Sequence, residues 1–255
     1  MNKFDFLLTK IDNAKALDFG TIFNQCIGLF KKTWVQGLVT LLLTLVFMIP
    51  FYVLMYLPLI RMGLTNPESF QDLDGFNIAL MIPFYLMILV FVFFAMIIDF
   101  GLKSAFFRIC KIKDFNESTA DDYFYFFKKP YLGKTIKLAA TTFGISILAM
   151  LLCVFPIIYV MVPIALINVI YAFNPDMTAS EIVKVGFNLG NKKWLITFGL
   201  MIVAALLAQI VGFIMCCVGV FATASFAYLP CYFVYKEVIG FNETHVIDDI
   251  GTIQE

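Results

Sequence analysis

Long apolar blocks separated by short polar ones set the pattern of this chain. A helix needs roughly 20 mostly apolar residues to cross a bilayer. Trp34–Ile60 is one such block, long and interrupted by Pro50 and Pro58, and Ile78–Gly101 is a second. Residues 138–173 then run for 36 positions without a charge. At about 1.5 Å per residue that is about 54 Å, too long for one crossing and enough for two short ones. A turn near Cys153–Pro156 divides it, with the third span beginning near Thr135. Trp194–Tyr235 is 42 residues long, also uncharged, and divides near Cys216–Gly219. The blocks lack the alternating period of barrel strands, and a backbone inside lipid must satisfy itself, so they read as helices. The expected fold is all-α: a polytopic membrane bundle of six helices over 17–240, between tails 1–16 and 241–255. The first 33 residues are polar or amphipathic and contain no cleavable signal. The first span is expected to act as its own insertion signal.

A shorter amphipathic segment precedes each pair of spans. From Asp18, a plausible N-cap, the residues Phe19, Ile22, Phe23, Cys26, Ile27, Phe30 and Trp34 form one helical stripe. Thr178-Ala-Ser-Glu181 is a capping-box pattern, followed by Ile182, Val185 and Leu189. A middle copy starts at Ser118-Thr119-Ala120-Asp121 and passes through Phe124, Phe126 and Phe127. All three end on a basic pair and an aromatic: Lys31, Lys32 and Trp34; Lys128, Lys129 and Tyr131; Lys192, Lys193 and Trp194. Placing Tyr131 on Trp194 also lays Cys153 on Cys216. This predicts a threefold internal repeat of interfacial amphipathic helix plus hairpin, with units of about 17–101, 118–173 and 178–239. The expected apolar faces enter the headgroup boundary, and the lysines meet anionic lipid.

Composition agrees with this picture. Of the 255 residues, 62% are hydrophobic and only 14% charged, which excludes a soluble globular enzyme and a disordered chain. The formal charge of zero hides a sorting of the 18 basic residues. Six spans put 17 of them on one side and Arg61 alone on the other, in a loop that also carries Glu68, Asp72 and Asp74. The positive-inside rule then makes both termini cytoplasmic.

Small residues at four-residue intervals mark expected helix contacts: Ala204, Ala208, Gly212 and Cys216; Gly219, Thr223 and Ala227; Ala140 with Gly144; Ala149 with Cys153. They predict close packing of spans three, five and six. Gly186 and Gly190 share the spacing within an interfacial segment. Asp99 is the one acidic residue within a span; Lys103 lies one turn later, so it reads as an i, i+4 pair or as a proton or ion site. Asn168 and Gln209 read as interhelical hydrogen-bonding groups or as parts of a polar pathway. Cys153 and Cys216 or Cys217 sit at hairpin ends, where an oxidising compartment would permit a disulfide. Asp72-Leu-Asp74-Gly75 is too ligand-poor for a calcium loop. No nucleophile–base set, P-loop, dinucleotide fingerprint or metal pattern is visible, so neither cofactor nor catalytic residue is expected. The basic residues are dispersed, which gives no nucleic-acid surface.

Gly28-Leu-Phe-Lys-Lys-Thr-Trp34 and Phe187-Asn-Leu-Gly-Asn-Lys-Lys-Trp194 stand before apolar hairpins, and Tyr228-Leu-Pro-Cys-Tyr-Phe-Val-Tyr-Lys236 closes the last span. Over most of residues 17–240 the chain resembles uncharacterised bacterial six-span membrane proteins. These are akin to the integral-membrane domain fused to some glycerophosphoryl diester phosphodiesterases. The resemblance implies the membrane module in a bacterial inner membrane and carries no catalytic residue across. Some such relatives bear carotenoid-oxygenase labels, which need a four-histidine iron site; this chain has one histidine, His245. The expected function is a non-enzymatic accessory or organising membrane protein, working through lipids, a protein partner or a second copy. A transporter or channel for a small or lipid-like solute is the alternative, and an intramembrane enzyme ranks third.

Overall fold

The computed structural model describes residues 2–61, 78–152, 154–215 and 218–241. Among them every regular element is helical and none is a strand. The α-helices are α1 (Lys3–Asp12), α2 (Phe19–Arg61), α3 (Ile78–Asp114), α4 (Lys129–Leu151), α5 (Val154–Phe173), α6 (Ala179–Lys192), α7 (Trp194–Ile214), α8 (Val218–Thr223) and α9 (Leu229–Val238). Two 3-10 segments, Tyr125–Phe127 and Ala224–Tyr228, complete the set.

Among the described residues five helices are long and apolar enough to cross a membrane: Phe19–Leu54, Tyr85–Asp114, Lys129–Leu151, Phe155–Phe173 and Trp194–Ile214. The block expected as a sixth span is divided into α8, a 3-10 segment and α9. Pro230 lies in the first turn of α9 and has no N–H, so the α-helical ladder cannot run unbroken through residues 226–230.

The amphipathic segments differ from expectation, each for a physical reason. The first is continuous with its span: α2 has 43 residues, about 64 Å of helix. Asp18 does cap it, accepting from the Thr21 N–H at 2.7 Å. The middle segment keeps no α-helix, only the short 3-10 segment Tyr125–Phe127; Phe126 is fully buried, and Phe127 sits where a Cβ on Gly101 would lie 2.5 Å from its ring. Pro130 cannot bond the Phe126 carbonyl, which accepts instead from Thr135 Oγ1 at 3.0 Å. Only the third, α6, is a separate amphipathic helix, closed by the full Thr178–Glu181 capping box. The hydrogen bonds from Thr21 and Thr178 hold the Asp18 and Glu181 carboxyls below their ordinary values. Both caps therefore stabilise above the usual carboxylate range and are lost as pH falls through it.

The core lies at the end of the molecule that carries the basic residues. There α5 is wrapped on nearly all sides: Val162, Leu166, Ile167, Val169, Ile170 and Tyr171 are fully buried. The faces of α6 (Ile182, Val185, Leu189) and of α2 (Ile22, Cys26, Leu29, Thr33) are buried as well. These stripes face protein, not the headgroup boundary. The second half of α3 and all of α9 close the cluster, and α1 lies on α6. At the opposite end the large apolar side chains point outward, on α2 from Leu42 to Ile60, on α3 from Ile82 to Phe94, and on α4, α5 and α7 around the hairpin turns.

Glycines set the closest approaches. A Cβ on Gly186 would lie 2.4 Å from Ile167 Cγ1, and one on Gly190 would lie 2.8 Å from Pro163 Cγ. The Gly186–Gly190 spacing is thus the seat of α6 on α5. A Cβ on Gly212 would meet the Val220 Cα at 2.5 Å, and Thr223 Oγ1 donates to the Ala208 carbonyl at 2.7 Å, so α7 and α8 touch backbone to backbone. The third apolar block departs from the expected grouping: α4 packs on α3 and α5, and Gly144 has nothing within 4 Å of its Cβ position. Gly212→Ala should therefore cost about 1–3 kcal/mol by overpacking. Gly144→Ala should be neutral or gain up to about 1 kcal/mol. Unfolding in mild detergent checks the pair; equal effects would refute the close α7–α8 contact.

Candidate functional site

A cavity of about 510 Å³ opens between α3, α4, α5, α7 and the segment 227–231. Its wall is mainly apolar and rich in methionine: Met96, Met150, Met161 and Met201. Methionine side chains are flexible and adapt to irregular shapes. Along α5 the lining runs from Ile157 to Asn168, about 16 Å.

The charged pair and a buried amide gather at one end, while Thr142 and Ser146 of α4, whose hydroxyls donate to carbonyls of their own helix, also line the wall. Asp99 and Lys103, one turn apart on α3, meet at 2.8 Å. The Lys103 ammonium also stands 4.7 Å over the Tyr228 ring. Asn168 is 7% exposed, and its amide Oδ1 lies 2.6 Å from the fully buried Ser104 hydroxyl. That hydroxyl also lies 2.9 Å from the Phe100 carbonyl. Its single proton serves one of these contacts, so Ser104 holds one end of the amide while the other end borders the cavity. A smaller cavity of about 130 Å³ lies on the far side of the ion pair. It shares Asp99, Lys103 and Tyr228 with the first and adds Gly37, Thr40 and Thr44 of α2. The Ser225 hydroxyl at its edge is buried without a hydrogen-bond partner. Among the described residues no three His, Cys, Asp or Glu side chains gather to hold a metal ion.

The structure brings Asp99 and Asn168 to one cavity but leaves Gln209 exposed on α7, outside both. Cys153 and Cys216 lie outside the described residues, as does the loop bearing Glu68, Asp72 and Asp74. Three other cysteines, Cys26, Cys110 and Cys231, are free and buried.

The basic pairs divide by what they touch. Lys31, Lys129 and Trp34 are exposed. Lys32 donates to Asn116 Oδ1 at 3.3 Å, and Lys128 pairs with Asp122 at 2.6 Å. Tyr131 stacks on Tyr125 and shares a 2.7 Å hydroxyl bond with it. Trp194 stacks on Phe198 and donates Nε1–H to the Tyr159 carbonyl at 3.0 Å. Lys192 donates to the Asp12 carbonyl at 3.0 Å, and Lys193 to the Ala14 and Lys15 carbonyls at 3.2 and 2.5 Å. These carbonyls end and follow α1, where a cation is favoured by the helix dipole. Burial, and then the neighbouring Lys192, lowers the Lys193 pKa from its ordinary value. The third basic pair therefore straps the N-terminal helix to the core.

Sequence reading paired Asp99 with Lys103 but missed Ser104 and Tyr228. Neither carries a local signal, since each gains its role only when α3 meets α5 and α9.

No family model, curated protein or solved structure matches the chain. The likeness to the phosphodiesterase membrane module draws no support from these comparisons.

Replacing Lys193 by Met should free the α1 strap. Amide exchange over residues 3–17 should rise about tenfold while α7 is unchanged, as loss of buried charge-assisted bonds implies. Unaltered exchange there, with weakened binding to anionic vesicles, would show that Lys193 serves lipid instead.

Proposed function

We propose that this chain is a non-enzymatic integral membrane protein that works by holding a lipid-like amphiphile in the cavity between α3, α4 and α5. One observation carries the reading: a mainly apolar cavity whose charged pair and buried amide lie together at one end. Such a cavity matches a molecule with a long tail and a small head. Its volume falls in the range of about 300–1,000 Å³ usual for small-molecule sites. In this reading the five long helices cross the bilayer, and the α8–3-10–α9 segment returns the chain as a sixth crossing. Both termini then lie on the cytoplasmic side with 17 of the 18 basic residues. The exposed apolar band of α2, α3, α4 and α7 supports it, since lipid is the solvent such a band requires.

Passage of a lipid-like solute is the second reading. It is favoured by the smaller cavity across the Asp99–Lys103 pair, which borders both spaces. Flux into liposomes separates the two readings: retention without transfer supports a holding role.

Purification in native lipid should recover a tightly held amphiphile in the extracted material. Ala165→Phe, which fills the cavity from α5, should lower its recovery about tenfold while cooperative unfolding persists. Equal recovery from the variant, or no retained amphiphile from the wild type, would overturn the reading.

A further inference from the structure

We infer that the amphiphile has an uncharged, hydroxyl-bearing head, as in a monoacylglycerol, and not a phosphate or carboxylate head. This rests on the lipid-holding reading of the cavity and specifies its ligand.

The argument is one of charge balance. Of the residues lining the cavity, only Asp99 and Lys103 are charged, and they neutralise one another at 2.8 Å. The other basic residues of the chain lie outside this lining, and among the described residues four of them are in ion pairs of their own: Lys111, Lys113, Lys128 and Lys236. A phosphate entering the polar end would meet an ammonium already occupied and a carboxylate of its own sign. Burying a charge without its own partner is costly at membrane depth. A hydroxyl carries no such cost.

Thr142 and Ser146 in the lining spend their protons on carbonyls of α4, and the amide of Asn168 selects for the hydroxyl directly. Asn168 is more than nine-tenths buried, and its Nδ2 has no hydrogen-bond partner among the described residues. With Ser104 holding one end of the amide, the other end offers either a donor or an acceptor to the cavity. A hydroxyl both donates and accepts, so it satisfies that end in either orientation. It can also accept from Lys103 or donate to Asp99 without breaking their pair. The methionine-lined wall then takes the tail by shape alone, with little demand on chain structure.

The test compares two ligands with the same tail, 1-oleoylglycerol and 1-oleoylglycerol 3-phosphate. Each is titrated into the full-length protein in phosphatidylcholine nanodiscs and counted by native mass spectrometry. The wild type should bind the uncharged ligand at least about tenfold more tightly. Asp99→Asn leaves Lys103 unbalanced and should collapse or invert that ratio, whereas Lys103→Met leaves Asp99 unbalanced and should widen it. Asn168→Leu should weaken monoacylglycerol binding, and an unchanged affinity would remove the amide from the recognition. Equal or tighter phosphate binding by the wild type would overturn the inference. So would an unchanged ratio in both charge variants, provided each unfolds as cooperatively as the wild type. Binding of neither ligand would overturn the lipid-holding reading itself, and binding with the reverse preference would overturn only the head-group assignment.

Discussion

Helix α6 lies across the second half of α5 with no room for a side chain at Gly186 or Gly190. Dispersion falls off steeply with distance, so backbone approach of this kind brings many atoms of both helices into contact at once. The rest of the basic end is arranged around that pair. The lower half of α3 and the whole of α9 cover the other sides of α5, and α1 covers α6. Residues 162–172 of α5 are then enclosed almost completely. A single bulky side chain at either glycine would lift α6, and with it the carbonyl strap to α1.

This enclosure divides the molecule into two zones with different solvents. In one, apolar side chains meet other side chains, and the five ion pairs found among the described residues all belong to it. In the other, apolar side chains face outward along α2, α3, α4 and α7. The cavity straddles the boundary. Its tail end reaches Met150 and Ile157 in the outward-facing zone, and its polar end reaches Asn168 at the edge of the enclosed one. Asn168 lies within the wrapped stretch of α5, where Ser104 of α3 reaches it, and this sets the polar end of the cavity.

The ends of α4 at Leu151 and of α7 at Ile214 were legible because an uncharged run has few places to turn, whereas α4 starts at Lys129, about a turn and a half before the expected Thr135. The i, i+4 pairing of Asp99 and Lys103 was also legible, being local. What the apolar period does not encode is which apolar medium covers a face. Ile182, Val185 and Leu189 have the same spacing whether they meet lipid or α5, so the amphipathic segments looked interfacial when two of the three are core. The repeat was inferred from Lys-Lys-aromatic endings, yet Lys128 is tied to Asp122 and Lys193 to α1. Similar words perform different work once their neighbours differ. Gly186 and Gly190 carried the right spacing, but their partners Ile167 and Pro163 belong to another helix. Ser104 and Asn168 are 64 positions apart and share no pattern.

The length of α2 has a mechanical side. A rod of about 64 Å is roughly twice the hydrocarbon thickness of a bilayer. Its first turns are locked among Ile22, Cys26 and Leu29, and at Gly37 it rests against Ser225. Beyond that point it packs on α3 along one side, through rings such as Phe51 with Phe91 and Phe94, and exposes its other side chains. A membrane that thins or thickens changes the preferred tilt of such a helix. With the first turns fixed in the core, a change of tilt would be taken up beyond Gly37, in the stretch that carries Thr40 and Thr44 beside the Asp99–Lys103 pair. Bilayer thickness would then act as a lateral load on one wall of the smaller cavity.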